Sequence, residues 1–473
     1  MPNTKIVATL GPASDSPEIL SRLLETGASV IRLNASHGTQ EKHAERIEAI
    51  RAAAEALGRH VGILLDLQGP KIRLGTFEEG FCELETGARF EITTEPVLGN
   101  CRRAYTTYSR FAYDVKQGDR VLLADGAVEL RALSTDGATV IFDVIEGGTI
   151  GDNKGINLPG VAVSTDAITD KDLSDLRFGL HHRVDFLALS FVRSAEDVNR
   201  LRRYMGAQAA AVPVIAKIEK PEAWENIGEI IATADGVMVA RGDLGVEVAL
   251  ERVPFIQKEI IRLARQAGKF VITATQMLES MVNSPVPTRA EVSDVANAIY
   301  DGSDAVMLSA ETSIGRYPLE AVRYMTRIAA ETEASLAAYD RRERIRFQNP
   351  SRAEIIARSA YYAAEEKNID AVVVFTESGS SARQIARLHP EDPVYALTPN
   401  AEVARRLAIQ FGVTAILADK AASTDDMLAL SDRMLQEKGF VRAGDTVVFV
   451  AGQPVGHPGT TNLMKIHRVG ELE

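Results

Sequence analysis

The sequence is poor in several features that mark common classes of protein. Its 473 residues contain only two cysteines, Cys82 and Cys101, which are too far apart in sequence for a CxxC pair. A disulfide framework and a zinc site are therefore not expected. No apolar run approaches the roughly 18 residues of a membrane span, and the opening stretch MPNTKIVATLGPAS lacks the charged and apolar regions of a signal peptide. We therefore expect a cytoplasmic protein with no membrane partner.

The sequence also has no excess of basic residues. Lysine and arginine number 53 against 65 aspartates and glutamates, which gives a formal net charge of −12. A nucleic acid needs a basic face to meet its phosphate backbone, so no nucleic-acid partner is expected. Small anionic substrates remain compatible with this charge, because they need only local cations.

What the chain does contain is a regular alternation of strand-like and helix-like segments. Eight short apolar stretches rich in β-branched residues predict strands, and most are separated by segments with helical spacing. The stretches begin at Lys5, Ser29, Val61, Asp185, Val212, Asp235, Lys269 and Asp304. Apolar strands that alternate with helices predict a parallel sheet, and eight such units predict a closed (β/α)8 TIM barrel.

Two further regions interrupt or follow this pattern. Between the third and fourth strands, ARFEIT, DRVLLADGAVELRAL and DGATVIFDVIEGG alternate apolar with polar residues and carry Asp-Gly turns, which predicts an all-β insertion. Because it leaves the carboxyl end of a barrel strand, we expect a lid. The last region predicts a separate open α/β sheet. The predicted division is a barrel of residues 1–69 and 166–345, a lid of 70–165 and a C-terminal domain of 346–473.

Polar side chains stand at the ends of nearly all the predicted barrel strands. Lys217 and Glu219 share one side of the fifth strand, because strand side chains alternate with a period of two. Glu219 and Asp243 offer two oxygen ligands of the kind that Mg²⁺ takes. Lys217 beside them would suit a transferring phosphoryl group, whose oxygens need fixed positive charge. A strand-end salt bridge between Lys217 and Glu219 is the simpler alternative. Arg32 offers a guanidinium for phosphate contact.

The chain as a whole resembles the pyruvate kinase family. The resemblance covers the barrel and the base of the lid densely and the last region more thinly. It is carried by ATLGPAS at 8–14, RLNASHG at 32–38, LQGPKIR at 67–73, DNKGINLPG at 152–160, VIAKIEKPEA at 214–223, VMVARGDLGVE at 237–247, ATQMLESM at 274–281, PTRAEVSDVANAIYDGSDAVMLSAET at 287–312 and HRVG at 467–470. It implies phosphoryl transfer from phosphoenolpyruvate to ADP with Mg²⁺ or Mn²⁺, giving ATP and pyruvate in glycolysis, and assembly as a homotetramer.

The resemblance also implies a role for each matching residue. Lys217 would steady the moving phosphoryl group, Arg32 would contact it, and Glu219 and Asp243 would ligate the divalent ion. The residues expected to bind the substrate are Ala240, Arg241, Gly242, Asp243, Thr275 and Ser190, and the backbone of 240–243 would hold the carboxylate of the substrate. The residues expected to bind the nucleotide are Asn34, His37, Arg73 and Lys154. Arg73 and Thr275 are also counted as catalytic. Thr275 would lie near the enolate carbon, but a threonine is no acid, so a water chain is the expected proton route.

One departure from the family pattern concerns potassium. Many relatives have a glutamate before Ile-Arg in the third-strand motif, and they bind K⁺ near the positions of Asn34, Ser36, Asp66 and Leu67. Here Lys71 occupies the glutamate position. Its ammonium could supply the missing positive charge, so we expect activity that does not require K⁺.

In the last region, FTESGSSARQIARLHP joins a strand to a helix through a Ser/Gly loop. Amides and hydroxyls at such a start can cradle a phosphate, and a capped helix without a ligand is the alternative. The family uses this loop for phosphorylated effectors. The resemblance therefore implies an allosteric site, with the expected residues Thr376, Ser378, Gly379, Ser380 and Ser381.

Two other functions fit parts of the pattern. A magnesium-dependent lyase or aldolase on the same barrel would also hold a pyruvate enolate beside carboxylates, but it would have no use for Arg73 and Lys154 at the base of a lid. A non-catalytic regulatory protein would be expected to have lost at least one of Lys217, Glu219 and Asp243.

Overall fold

The computed structural model describes residues 2–161, 163–164, 166–339, 350–366, 368–455 and 459–471. Eight parallel strands close into a barrel, in which each strand pairs with its neighbours in chain order and the first pairs with the eighth. The strands are Lys5–Thr9, Ala28–Asn34, Gly62–Asp66, Phe186–Leu189, Val214–Ile218, Gly236–Ala240, Phe270–Ala274 and Ala305–Leu308. All eight predicted strands are present, so the predicted TIM barrel is confirmed.

Helices surround the barrel strands and bury their apolar faces against them. They are Pro17–Thr26, Gln40–Ala56, Asp170–His181, Ala195–Met205, Pro221–Glu225, Ile227–Thr233, Arg241–Glu247, Val253–Gln266, Arg289–Tyr300, Ala310–Ser313 and Pro318–Tyr339. Local chemistry sets several of their ends. Thr288 and Glu291 form a reciprocal capping box at the start of one helix. Gly268, with φ of +71°, follows the end of Val253–Gln266 as its position after the helical run predicted.

The barrel is filled by side chains and does not form a pore. Alternate strand residues point inward, and the interior cluster includes Ile215, Met238 and Ile272. Their neighbours Ala216 and Ile218 instead face the surrounding helices. The C-terminal region closes the amino-terminal end of the barrel, because its Ala408 and Ile409 join the interior cluster. The open end of the barrel is therefore the end where the strands finish.

The predicted all-β insertion follows the third barrel strand and has its own apolar core, which includes Phe90, Phe111 and Phe142. Six strands form one sheet, in the spatial order Ile156–Asn157, Arg120–Leu123, Val128–Thr135, Thr139–Glu146, Arg89–Thr93 and Arg103–Tyr105. Phe81–Leu84 and Gly148–Gly151 form a separate antiparallel pair, and the short helix Phe111–Asp114 completes the insertion.

The C-terminal region forms the predicted open α/β sheet. Its strands lie in the order Val413–Leu417, Val394–Thr398, Ala371–Phe375, Thr446–Gly452 and Thr461–Arg468. The first four are parallel, and the last is an antiparallel edge strand that strand-pattern reading did not predict. The helices Arg352–Ala364, Ser380–Ala386, Ala401–Leu407 and Thr424–Glu437 cover the two faces. Arg405 donates a hydrogen bond of 2.8 Å to Asp185 and so ties this region to the barrel.

Two of the predicted domain boundaries fall at residues outside the part of the chain that the structure describes. The boundary at 345/346 and the last part of the long predicted helix before it lie outside the described residues. Residue 165, at the end of the predicted lid, lies outside them as well. Within the part of the chain that is described, no helix is both long enough and apolar enough to cross a membrane.

Candidate active site

The polar residues at the carboxyl ends of the barrel strands gather at one rim, on the side that faces the insertion. Lys217 is at their centre. It lies on the fifth strand, on the same side as the interior residue Ile215. Its Nζ lies 2.9 Å from Oε1 of Glu219 and 3.3 Å from Oδ1 of Asp66, and it donates a hydrogen bond of 2.8 Å to Oγ of Ser190.

Lys217 remains a cation in this setting. Burial lowers the pKa of an amine, but the carboxylates of Asp66 and Glu219 outweigh burial and raise the pKa of Lys217 above its usual value. The side chain is 11% exposed. Lys217 is therefore a positive charge held in a fixed position at the rim.

Asp66 connects Lys217 to Arg32. The Arg32 Nε donates to Oδ2 of Asp66 over 2.8 Å, and a second guanidinium nitrogen lies 2.7 Å from the same oxygen. The third nitrogen donates to Oγ1 of Thr9 over 3.1 Å. Burial opposes ionisation of Asp66, but Lys217 and Arg32 together lower the pKa of its carboxyl. Two cations thus share one ionised carboxylate.

Glu219 is only partly satisfied. Its Oε2 accepts a hydrogen bond of 2.7 Å from the backbone N–H of Phe191, a residue with a φ of +54°. Its Oε1 is buried and accepts no hydrogen bond, although it lies in ion-pair contact with Lys217. Burial raises the pKa of Glu219, and the charge of Asp243 raises it further against the opposing effect of Lys217.

Glu219 and Asp243 are the two carboxylates of the rim that could hold a divalent cation. Asp243 lies in the first turn of the helix Arg241–Glu247, which begins directly after the sixth strand. A buried carboxylate oxygen without a hydrogen bond, beside a second carboxylate, suits Mg²⁺ with waters and substrate oxygens as its other ligands. The described residues contain no group of three or more acidic, histidine or cysteine side chains that could enclose a metal.

The rim continues to Thr275 at the end of the seventh strand. Thr275 has a φ of +68°, which is uncommon for a β-branched residue and marks local strain of the kind found at functional sites. Its Oγ1 accepts the N–H of Gly242 over 2.7 Å. The Arg241 guanidinium is engaged within the protein, since it donates to Asp294 over 2.7 Å and to the carbonyl of Thr275 over 2.8 Å.

The predicted monovalent-cation residues lie together beside Asp66. The backbone N–H of Ala35 donates to the carbonyl of Asp66 over 2.9 Å. Asn34 accepts the N–H of Ser36 through its side chain over 3.1 Å. The carbonyl of Leu67 accepts a hydrogen bond of 2.7 Å from Ser190.

Cations from the insertion approach the same rim. Arg73 pairs with Gly155 across a short antiparallel bridge, so Arg73 and the exposed Lys154 are neighbours. Partial burial lowers the pKa of His37, and the charges of Arg73, Arg32 and Lys71 lower it further. His37 therefore lies within electrostatic reach of these three cations.

Lys71 lies on the insertion side of this group. A Cβ built on Gly155 would be 3.2 Å from Cε of Lys71 and 3.9 Å from its Nζ. Among the described side chains Lys71 forms no ion pair, and in particular none with Asp66. The structure thus brings Lys71 to the rim but does not join its ammonium to the residues of the predicted monovalent-cation site.

Sequence reasoning missed one cluster beside the site. A cleft with a cavity volume of about 50 Å³ separates the insertion from the barrel and is lined by Lys71 and Asp243 among others. In it, Glu247 contacts both Lys220 and Asn157. The position of Lys220 directly after Glu219, in EKPEA, is the signal that could have identified it.

The loop expected to bind an effector also lines a cavity of about 50 Å³. Thr376, Ser378, Ser380 and Ser381 face it, together with Lys420. Gly379, with φ of +78°, begins the helix Ser380–Ala386, and no side chain caps that helix. Ser381 shares a hydrogen bond of 2.5 Å with Thr461 of the terminal strand. Lys420 is a cation that the sequence analysis did not include.

The structure is a TIM barrel with an inserted β domain, and its rim brings two fixed cations together with a pair of carboxylates. These features are typical of a phosphoryl-transfer enzyme. Comparison with family models makes the class specific. Residues 1–322 match the model described as "Pyruvate kinase, barrel domain", and residues 354–467 match "Pyruvate kinase, alpha/beta domain". The chain belongs to the pyruvate kinase family, whose members are phosphotransferases.

Curated relatives agree over the full length. The pyruvate kinase of Corynebacterium glutamicum is 48% identical over 470 residues, which cover 99% of this chain and 98% of the relative. That of Mycobacterium tuberculosis is 47% identical over 467 residues with the same coverage. That of Geobacillus stearothermophilus is 45% identical over 473 residues, which cover 99% of this chain and 81% of the relative.

Proposed function

We propose that this protein transfers the phosphoryl group of phosphoenolpyruvate to ADP and releases pyruvate and ATP in glycolysis. The observation that carries the proposal is the position of Lys217, a buried cation held between Asp66 and Glu219 and near Asp243. Phosphoryl transfer needs fixed charge more than covalent chemistry, because its transition state spreads negative charge over the oxygens of the moving group. Membership of the pyruvate kinase family supports the same reaction.

Each residue of the rim takes one task in this proposal. Lys217 and Arg32 hold the moving phosphoryl group, and the 2.8 Å bond from Arg32 to Asp66 keeps the guanidinium in place. The backbone of Ala240, Gly242 and Asp243 binds the carboxylate of the substrate. The Thr275 hydroxyl orients Gly242 through a bond of 2.7 Å and leads a water chain to the enolate carbon.

Glu219 and Asp243 would hold Mg²⁺ or Mn²⁺. When bound, this ion supplies positive charge to the oxygens of the substrate. Its presence would also satisfy the buried Oε1 of Glu219, which lacks a hydrogen bond. The chain's own contribution is the rigid placement of the two carboxylates, on the fifth strand and on the helix after the sixth.

We propose that Arg73, Lys154, His37 and Asn34 bind the nucleotide. The bridge between Arg73 and Gly155 supports this assignment, because it sets two cations side by side at the base of the insertion. The insertion would then act as a lid that brings these cations to the phosphates of ADP.

Activity without K⁺ is the next part of the proposal. Lys71 stands where many relatives carry a glutamate, and its charge contributes to lowering the pKa of His37 on the rim. Its ammonium would supply the positive charge that a potassium ion gives near Asn34, Ser36 and Asp66. The assay compares rates with and without added K⁺, and a strict requirement for K⁺ would refute this part.

We also propose allosteric control by a phosphorylated effector bound at Thr376, Ser378, Gly379, Ser380 and Ser381. The support is the cavity beside this loop, its uncapped helix and the nearby Lys420. The test titrates sugar phosphates and nucleotides against the cooperativity toward phosphoenolpyruvate. No change with any of them would count against the site.

The predicted three-domain division, with its boundaries at 69/70, 165/166 and 345/346, is supported by separate apolar cores in the barrel, the insertion and the C-terminal sheet.

We further propose a homotetramer in the cytoplasm. Leu250, Phe255 and Ile314 are exposed apolar side chains of the kind that subunit interfaces cover. Light scattering coupled to gel filtration tests the assembly.

The deciding experiment measures ATP formed from phosphoenolpyruvate and ADP in the presence of Mg²⁺. ATP formation is expected for the parent enzyme. The alternative of a magnesium-dependent lyase or aldolase predicts carbon–carbon bond cleavage without ATP, and the cations at the base of the lid argue against it.

A further inference from the structure

A single buried carboxylate joins the lid to the barrel beside the site. Glu247 Oε1 accepts a hydrogen bond of 3.0 Å from Nδ2 of Asn157, which belongs to the lid. The same oxygen lies 2.6 Å from Nζ of Lys220, which belongs to the barrel. The side chain of Glu247 is 1% exposed. A carboxylate buried this completely is held by its partners: loss of Lys220 would leave its charge unbalanced, and loss of Asn157 would remove one of its hydrogen bonds.

Each partner in this cluster is adjacent to a residue of the proposed machinery. Lys220 directly follows Glu219, and Glu247 ends the short helix whose first turn contains Asp243. Both proposed metal ligands are therefore attached to the barrel half of the cluster.

The lid half is attached to the proposed nucleotide cations. Asn157 follows Lys154 by three residues, and Gly155 between them pairs with Arg73. The N–H of Ile156 also donates to the carbonyl of Ile72 over 2.9 Å, which fixes the two lid segments to each other. A displacement of Asn157 would thus move Arg73 and Lys154 together.

We propose that Glu247 is a positioning residue that latches the lid to the barrel through Asn157 and thereby sets the distance between the nucleotide cations and the metal carboxylates. The inference rests on the site roles proposed above. It assigns no contact between Glu247 and a substrate. The consequence is specific: loss of the latch weakens the binding of ADP more than that of phosphoenolpyruvate, because only the nucleotide is held from the lid.

The test uses three variants of the full-length enzyme. Asn157→Ala removes only the lid bond, and Asn157→Asp sets two carboxylates against each other. The double variant Asn157→Asp with Glu247→Gln exchanges the amide and the carboxylate, so that a hydrogen bond can form again. Glu222→Gln is the control for the Glu247→Gln half of the double variant, because Glu222 lines the same cleft and its replacement also removes one carboxylate charge.

The KM for ADP is expected to rise about tenfold in Asn157→Ala and more in Asn157→Asp, the range for a lost hydrogen bond to a charged group. The KM for phosphoenolpyruvate should change less than about twofold, and the exchanged pair should regain most of the affinity for ADP. An unchanged KM for ADP in Asn157→Ala would overturn the latch. Equal losses for both substrates without recovery in the exchanged pair would do so as well, because they would indicate a purely structural role.

Calorimetric titration of ADP into the magnesium-loaded variants separates the latch from the reaction itself. Failure of the parent enzyme to form ATP would refute the proposed function. The dissociation constant of ADP would still report whether Asn157 and Glu247 act together. Thermal unfolding of each variant accompanies the titration and detects a variant that has failed to fold.

Discussion

Replacement of Lys217 by methionine tests the centre of the proposed site. Methionine keeps most of the apolar stem and removes the charge, which lies 2.9 Å from Glu219 and 3.3 Å from Asp66. At an effective dielectric constant of about 20, Coulomb's law gives gross attractions of about 6 and about 5 kcal/mol for these two distances. Desolvation of the three groups offsets most of that attraction.

The net effect is expected to differ between stability and catalysis. Removing one partner of a buried pair costs about 3–5 kcal/mol when the other charge stays. Asp66 keeps Arg32, and Glu219 can take up a proton because its pKa is already raised, so the loss of stability should lie at or below about 3 kcal/mol. The loss of catalytic rate is not compensated in this way, since no other group takes the position of the ammonium. Loss of one fixed electrostatic contact to a transition state lowers kcat by about 10²–10³.

The assay measures ATP formation under saturating phosphoenolpyruvate and ADP, with thermal unfolding in parallel. Lys217→Arg is the matched control, because it keeps the charge but changes its position, and it should retain more activity than the methionine variant. A kcat within about tenfold of the parent for Lys217→Met, in a folded protein, would refute the assignment. The contact with Glu219 would then be a strand-end salt bridge and nothing more.

Three further predictions follow from the same structure. Lys71→Glu should make the rate depend on added K⁺, while the parent shows no dependence; equal behaviour of the two would refute the substitution of a potassium ion by Lys71. Glu219→Gln should abolish the rise in unfolding temperature that Mg²⁺ produces in the parent, and an undiminished rise would place the metal elsewhere. Lys5 donates to the carbonyl of Val413 over 2.8 Å, and burial, partly opposed by Glu333, lowers its pKa to about 8. The folded state then binds the Lys5 proton more weakly than the unfolded state does. The parent should therefore gain stability relative to Lys5→Met as pH rises from about 8 toward the ordinary lysine pKa of about 10.4. A constant difference in unfolding temperature between the two proteins across that range would contradict this prediction.

Most of the fold could be predicted because its signals are local. Each barrel strand is a short apolar run, and several helices have an apolar face and a local signal at one end, as at Thr288 and Gly268. The terminal strand Thr461–Arg468 was missed because an exposed edge strand lacks the continuous apolar run of a buried one.

The candidate site could be predicted only in outline. Parallel strands finish at the same rim, so polar residues after Lys217 and after Ala240 had to lie near each other whatever the details. The direction of each side chain does not follow from that rule. Arg241 belongs to the predicted group, yet its guanidinium is engaged by Asp294, fifty-three positions further along the chain, and by the carbonyl of Thr275.

The amino-acid sequence alone determined the barrel, the all-β insertion, the open C-terminal sheet and the family, because these depend on periodicity and on motifs within short segments. Only the tertiary structure decided that Glu247 reaches Asn157 in the insertion, that Lys71 lies beside Gly155 without an ion pair to Asp66, and that Thr275 adopts a positive φ. These features arise from contacts between segments distant in the chain, and their geometry is set by how whole layers pack, for which no local pattern carries a signal.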